Sequence, residues 1–422
     1  GAQFELGLLA RTLKQSPGRA LDALWPALEN GLVTPVGRSY RLVRAAHDEQ
    51  IDEQVGLRFL HDRVQQAAYA SQDEATRALA HLRIGRWLLG QQQGQDQGQG
   101  PAAQDAHAAE HSFEIVDHLN RALALATPQE QQALARLNLL AARRAKAASA
   151  FGPALAYAEA GLAAAGSDGA AAPELRRDLH VEAAEVAQLA GEYEAMERHA
   201  QAVLAQEPDP LHAVLVQETR IRAAMATNRM HDAVQVALEV LPTLGVSVPR
   251  GAYLAHTLAG LAGVRARIGL RDTQALLALP EMTDATAQAA MRVLTAAAQP
   301  AYYVAPTLLP VLLLKMVDRS LRHGNSPLSA YAWVAYGHMQ NLVFGNVRAA
   351  QAYGELGRDV LARTGGVAER AKVEFIFHSF IHVWTAPWRD TLQPLLAAYR
   401  AGIDSGDLEY AGTAVHLYCY HL

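Results

Sequence analysis

His107-Ala108-Ala109-Glu110-His111 places two histidines four residues apart with a glutamate between them. On a helix both imidazoles would share one face, the inverted zinc-peptidase arrangement in which the glutamate serves as base. Glu182 and Glu185 lie downstream as candidate third ligands. Against this, the motif is five residues long in a chain with 17 histidines, and it borders a low-complexity tract. No second layer of acids is evident to orient the rings. The zinc peptidase (His107, Glu110, His111) is therefore the minor reading. His378 and His382 lie one turn apart among Phe375, Phe377, Phe380 and Trp384, and read as satisfied core or groove histidines. Cys419, between His416 and His421, reads as buried; as the single cysteine it excludes an internal disulfide and a cysteine-rich zinc site. The four lysines (Lys14, Lys146, Lys315, Lys372) never follow a glycine, so the chain holds no phosphate-binding G-x-x-x-x-G-K-[ST] loop. No catalytic centre and no metal are expected here.

The elements that would position these groups are helices. Among 422 residues 84 are Ala, while only 6% are aromatic, a balance that favours packed helix over sheet. Half the chain is hydrophobic, enough for a sizeable core. With 37 basic and 42 acidic residues, no global field invites nucleic acid. Val293–Leu314 is uncharged over 22 residues, but Gln299, Pro300, Pro306 and Pro310 break it. It reads as a corner, one helix ending near Gln299 and the next starting near Pro306. No signal peptide is expected in the opening Gly-Ala-Gln-Phe-Glu. The chain reads as cytoplasmic, with neither membrane nor nucleic acid as a partner.

Residues 1–90 read as a winged-helix module. Phe4–Leu13 and Pro17–Asn30 are expected helices, Ser16-Pro17 serving as N-cap and N1 and Gly31 as a stop. The β-like runs Leu32–Val36 and Tyr40–Val43 read as a hairpin, followed by an acidic loop and Leu57-Arg58-Phe59 before another helix. Arg19, Arg38 and Arg41 are offset by Asp22, Glu29 and the acidic loop, so this module lacks the basic face that DNA requires. Residues 91–110 read as a Gln/Gly-rich linker without apolar anchors. Residues 111–422 read as degenerate helical repeats of tetratricopeptide (TPR) type. Gly191-x-Tyr193-x-x-Met196-x-x-x-Ala200-x-x-Val203-Leu204-x-x-x-Pro208 sets the frame, which recurs from Phe151, Met230, Val347 and Trp388 at spacings above the ideal ~34 residues. Ala154, Ala158, Ala200, Ala233, Ala237 and Ala350 would let paired helices approach. The fold class expected is mainly all-α, a small winged helix followed by a TPR-like α-solenoid. In its groove, Glu185, Gln188 and Arg222 are candidate contacts for a protein or peptide ligand.

Arg58-Phe59-Leu60-His61-Asp62-Arg63-Val64-Gln65-Gln66-Ala67-Ala68-Tyr69 resembles the segment that closes the ATPase module of large bacterial signalling proteins. These proteins join a serine/threonine-kinase-like region, a STAND-type ATPase, helical repeats and often a GAF plus sensor histidine-kinase tail. Further similar stretches follow in order: His118-Leu119-Asn120-Arg121, Leu279-Pro280-Glu281-Met282-Thr283-Asp284, Leu314-Lys315-Met316-Val317, Gly324-Asn325-Ser326-Pro327-Leu328-Ser329-Ala330 and Ser405-Gly406-Asp407-Leu408-Glu409-Tyr410-Ala411. Kinase motifs and P-loop are missing, so the resemblance implies a middle segment that is not itself an enzyme. It also implies no cofactor within the segment, with ATP or ADP held by an upstream ATPase module, and the parent's own ATPase/kinase modules as partners. Leu60-His61-Asp62 is similar to the Met-His-Asp motif of related regulatory ATPases, in which the histidine contacts the β-phosphate of ADP. By resemblance, His61 and Asp62 are therefore nucleotide-sensing residues.

Overall fold

The computed structural model describes residues 3–36, 55–95, 113–166, 173–206 and 210–422. Among the described residues the chain is mainly α-helical, with one small three-stranded sheet. It forms two compact units, Gly1–Ala190 and Gly191–Leu422. The boundary falls inside the stretch read from sequence as a continuous array.

The first unit opens with β1 (Gln3–Glu5), α1 (Leu6–Leu13), α2 (Pro17–Glu29), β2 (Val33–Val36) and β3 (Gly56–Phe59). All pairing is antiparallel and β3 is central, with Phe4 and Pro35 both opposite Leu57. Pro35 is tolerated because β2 lies at the edge. Leu6, Ala10, Leu21, Val33 and Leu57 form the core between sheet and helices. Ser16 caps α2 as expected, accepting from the Arg19 N–H. The expected helix from Phe4 starts two residues later. Phe4 instead sits in β1, its ring 5.3 Å from Phe59. The partner of Val33–Val36 is Gly56–Phe59; residues 40–43 lie outside the described residues.

Next come α3 (Asp62–Ala70) and α4 (Glu74–Gln95). The latter runs five residues into the segment read as a linker; residues 96–112 lie outside the described ones. Then follow α5 (113–120), α6 (Pro128–Ala147), α7 (Phe151–Ala165) and α8 (Pro173–Ala190). Thr127 and Glu130 form a capping box at α6, and Arg86 grips Glu130 at 2.7 and 2.9 Å. That hydrogen bond from Arg86, with those from Thr127, holds the Glu130 carboxyl down to about 2.

The second unit comprises α9 (Tyr193–Leu204), α10 (Pro210–Ala226), α11 (Met230–Val240), α12 (Tyr253–Ile268), α13 (Thr273–Leu277), α14 (Ala285–Val304) and α15 (Leu309–His323). It continues with α16 (Pro327–Phe344), α17 (Val347–Thr364), α18 (Arg370–Ile376), a π-turn at Phe377–Ile381, α19 (Leu392–Ser405) and α20 (Leu408–His421). The expected corner near Gln299 is displaced. Helix α14 passes through Pro300 to Val304, because Pro300 and Ala301 are buried among its core-facing residues and packing outweighs the lost backbone bond. Among the described residues no helix is long and apolar enough to cross a membrane.

One turn recurs. A residue with left-handed backbone (Ser149, Gly191, Asn228, Gly345 or Gly406, φ 56–79°) precedes one with φ between −83 and −98° and ψ between 61 and 79°. A helix starts at the next residue: Phe151, Tyr193, Met230, Val347 or Leu408. The first four are frame positions read from the sequence; Trp388, the fifth, opens only a 3-10 turn. The six alanines expected at close approaches are all at most 1% exposed. Between α16 and α17 the contact is closer still, since a Cβ on Gly357 would overlap Val334 and the Ala330 carbonyl. Here backbone meets backbone, and only glycine leaves the space.

Two of the stretches quoted for the family resemblance meet at a joint. Asn325 N–H donates to the Pro280 carbonyl, and Met282 N–H donates to the Asn325 carbonyl, each at 2.8 Å. A Cβ on Gly324 would overlap the Pro280 carbonyl, and its φ of +99° also suits glycine. The Asn325 side chain donates to the Leu276 carbonyl at 2.9 Å and accepts from Trp333 Nε1 at 3.1 Å. Ser326 then caps α16, Pro327 takes its first position, and Ser329 closes the capping box. Gly324, Asn325, Ser326, Pro327 and Ser329 thus each have a structural reason.

Candidate functional site

A cavity of about 560 Å³ opens in the second unit, within the ~300–1,000 Å³ usual for ligand sites. Helix α10 contributes Glu218, Arg222 and Met225, and α14 contributes Arg292, Thr295, Ala296 and Gln299. Tyr331 and Leu328 of α16 and Lys372 of α18 form a second wall, joined by Glu369. The third wall is Ser405-Gly406-Asp407-Leu408-Glu409-Tyr410, another of the stretches quoted for the resemblance. The recurring turn explains its place: left-handed Gly406 reverses the chain, and Asp407 caps α20 by accepting from the Tyr410 N–H at 3.3 Å.

Charge in this cavity is mostly compensated. Arg292 donates to Glu218 at 2.9 Å. Lys372 lies 3.3 Å from Glu369 and 3.5 Å from Asp407. Glu409 accepts from the neutral Tyr303 hydroxyl at 3.1 Å, and burial raises its carboxyl above the ordinary value. Tyr331 and Tyr410 share a hydrogen bond; burial pushes Tyr331 up to about 12 and Tyr410 well above its ordinary value. Both stay neutral at physiological pH. Arg222 differs from the other two cations. Its guanidinium donates to Thr219 Oγ1 at 3.1 Å on its own helix, and among the described residues it has no carboxylate partner.

The sequence candidates divide between the units. Arg222 lines the cavity, while Glu185 and Gln188 share α8 in the first unit. Glu185 accepts from Lys146 at 3.1 Å, and Gln188 keeps a buried Oε1 without a hydrogen-bond partner. Sequence reading missed Glu182 as the stronger partner of Lys146, at 2.6 Å and only 5% exposed. Burial opposes the charge on Lys146, but the bonds to Glu182 and Glu185 prevail and raise its ammonium above the ordinary value. It also missed Glu218, Arg292, Lys372, Asp407 and Glu409 as cavity residues. The only signal was the quoted 405–411 stretch, which carried no residue assignment.

His61 occupies the N-cap of α3 with extended backbone and no capping bond from its side chain; Asp62 is the first helical residue, and both are exposed. His107, Glu110 and His111 lie outside the described residues, and the candidate third ligands Glu182 and Glu185 both pair with Lys146. Among the described residues no group of three or more His, Cys, Asp or Glu is placed to hold a metal ion. Two expectations need correction. Cys419 is exposed, because α20 buries the Ala411 and Ala414 face instead. His378 and His382 are not fully satisfied: the π-turn leaves both Nδ1 atoms buried without a hydrogen-bond partner, although His378 Nε2 lies 3.2 Å from Glu374 and Phe377 stacks on His382. No family model, curated protein or solved structure matches the chain.

Proposed function

We propose that this chain is a regulatory sensor and protein-interaction segment of a bacterial signal-transduction ATPase/kinase acting in the cytoplasm. In this reading the helices form a degenerate TPR-like solenoid whose ligand is a protein or peptide. The sheet with α1 and α2 is a winged helix that relays occupancy to the nucleotide switch of an upstream ATPase module. The observation that carries the ligand-binding part is the cavity at Arg222, whose guanidinium, among the described residues, lacks the carboxylate partner that the other lining cations have. The repeated left-handed turn and the buried alanines support the repeat reading. The β1-β3-β2 sheet packed on two short helices supports the winged helix. The relay rests on the resemblance at His61-Asp62.

The deciding experiment is ATP turnover by the complete parent, wild type and Arg222→Ala, with and without added ligand. A sensor changes turnover on ligand binding and loses that response in the variant. Ligand binding without any change in turnover would instead identify a passive TPR scaffold. Stoichiometric zinc in the purified chain would favour the zinc-peptidase alternative.

A further inference from the structure

The walls of the second-unit cavity carry seven charged side chains, and five of them stand in two ion-paired groups. Arg292 is matched by Glu218, and Lys372 lies between Glu369 and Asp407. Two remain. Among the described residues Arg222 donates only to Thr219, and Glu409 accepts from the neutral hydroxyl of Tyr303. Apolar lining from Met225, Ala296, Leu328 and Leu408 completes the cavity, with the rings of Tyr331 and Tyr410. A singly charged solute could match only one of the two remaining charges. A solute carrying one positive and one negative group matches both.

We propose that this cavity takes a small zwitterion, an amino acid or a di- or tripeptide with free ends, its carboxylate on Arg222 and its ammonium on Glu409. The assignment rests on reading the cavity as the ligand site and narrows the ligand from peptides in general to those with both ends free. The volume of about 560 Å³ has room for a compact ligand. The guanidinium fork can accept the carboxylate bidentately, which favours a planar anion over a point charge. Glu409, which lines the same cavity, can accept from an ammonium while its Oε1 accepts from the Tyr303 hydroxyl.

The test is calorimetric titration of the purified chain with the free amino acids and with Ala and Leu dipeptides and tripeptides, each beside its N-acetyl and C-amide forms. At least one free-ended compound should bind, and blocking either end should weaken it tenfold or more. Arg222→Gln should abolish the advantage of the free carboxylate over the amide. Glu409→Gln should abolish the advantage of the free amine over the acetylated form. Each charge is thereby assigned to its own end of the ligand. Unchanged circular dichroism and melting would show that both variants remain folded. Binding by none of the free-ended compounds, or binding indifferent to both blocks, overturns the zwitterion. If blocked peptides bind and lose affinity in Arg222→Gln, the zwitterion falls and the peptide-groove reading stands. If no peptide of either kind binds, both fall.

Discussion

The Nδ1 atoms of His81 and His118 stand 2.7 Å apart, joining α4 to α5, while the Tyr69 hydroxyl lies 3.0 Å from His81 Nε2. One ring must donate and the other accept, so the bond requires that the pair not be doubly protonated. Burial, then His81 and Arg121, depress His118 from 6.5 to about 4; burial, then Arg121 and Arg77, lower His81 as well. Both folded values lie below the unfolded one, so the unfolded chain takes up protons first as pH falls. The stabilisation is full above about pH 6.5 and is lost progressively as pH falls toward the folded values. Thermal melts from pH 7.5 to 4.5 should show this loss, about 1–2 kcal/mol after allowance for the water that reaches His118. His118→Gln should flatten the profile. A parallel profile for wild type and variant would assign the acid sensitivity elsewhere.

Lys146 neutralises a buried Glu182 and a more exposed Glu185. Lys146→Met should cost about 1–3 kcal/mol, because it leaves the buried Glu182 carboxylate with only the longer bond from Arg143 at 3.3 Å. Glu185→Gln should cost below about 1 kcal/mol, as an exposed partner does. Combining Lys146→Met with Glu182→Leu should recover most of the loss. Urea midpoints of wild type and the three variants decide this; a loss in Glu185→Gln as large as that in Lys146→Met would contradict the difference in burial.

Asn325→Ala removes both side-chain bonds that tie Trp333 to the Leu276 carbonyl. Each stranded buried group costs about 1–3 kcal/mol, so melting should fall by several degrees. Tryptophan fluorescence should report the change directly, because Trp333 is fully buried. A variant with wild-type stability would mean that the joint between the 279–284 and 324–330 stretches is held by backbone bonds alone.

Ser149 adopts φ 58°, where its counterparts at three other turns are glycine. Ser149→Gly should stabilise the first unit by about 0.5–1 kcal/mol, since an L-residue there is strained. Asn228→Gly should gain less, because asparagine tolerates this region. A loss of stability in Ser149→Gly, measured by chemical denaturation, would show that the serine side chain supports the turn.

His61→Ala tests the proposed relay in the complete parent. A hydrogen bond from an exposed N-cap imidazole to phosphate is worth about 1.5–3 kcal/mol, so ADP should leave roughly ten- to a hundredfold faster. The population should shift toward the signalling state, because only the closed state makes the contact. The isolated chain should not bind nucleotide tightly. Stopped-flow release of labelled ADP is the measurement, and unchanged release with unchanged output would leave His61 a helix cap only.

Local signals were legible because their causes are local. Ser16-Pro17 caps α2 as read, and helices start at the frame positions Phe151, Tyr193, Met230 and Val347, since turn preference resides in neighbouring residues. The alanines at 154, 158, 200, 233, 237 and 350 could be assigned to close contacts because periodicity alone shows which face they occupy. Tertiary structure decided the rest. Gly56–Phe59 became the central strand only by pairing with two segments far away, and Pro300 stayed helical because its surroundings bury it. The cavity charges come from positions as distant as Glu218 and Glu409, so which of them remain unmatched depends on which helices meet. Residue type sets the sign of each charge; only packing decides its partner, because a Coulomb interaction depends on separation in space and on the water excluded between the groups.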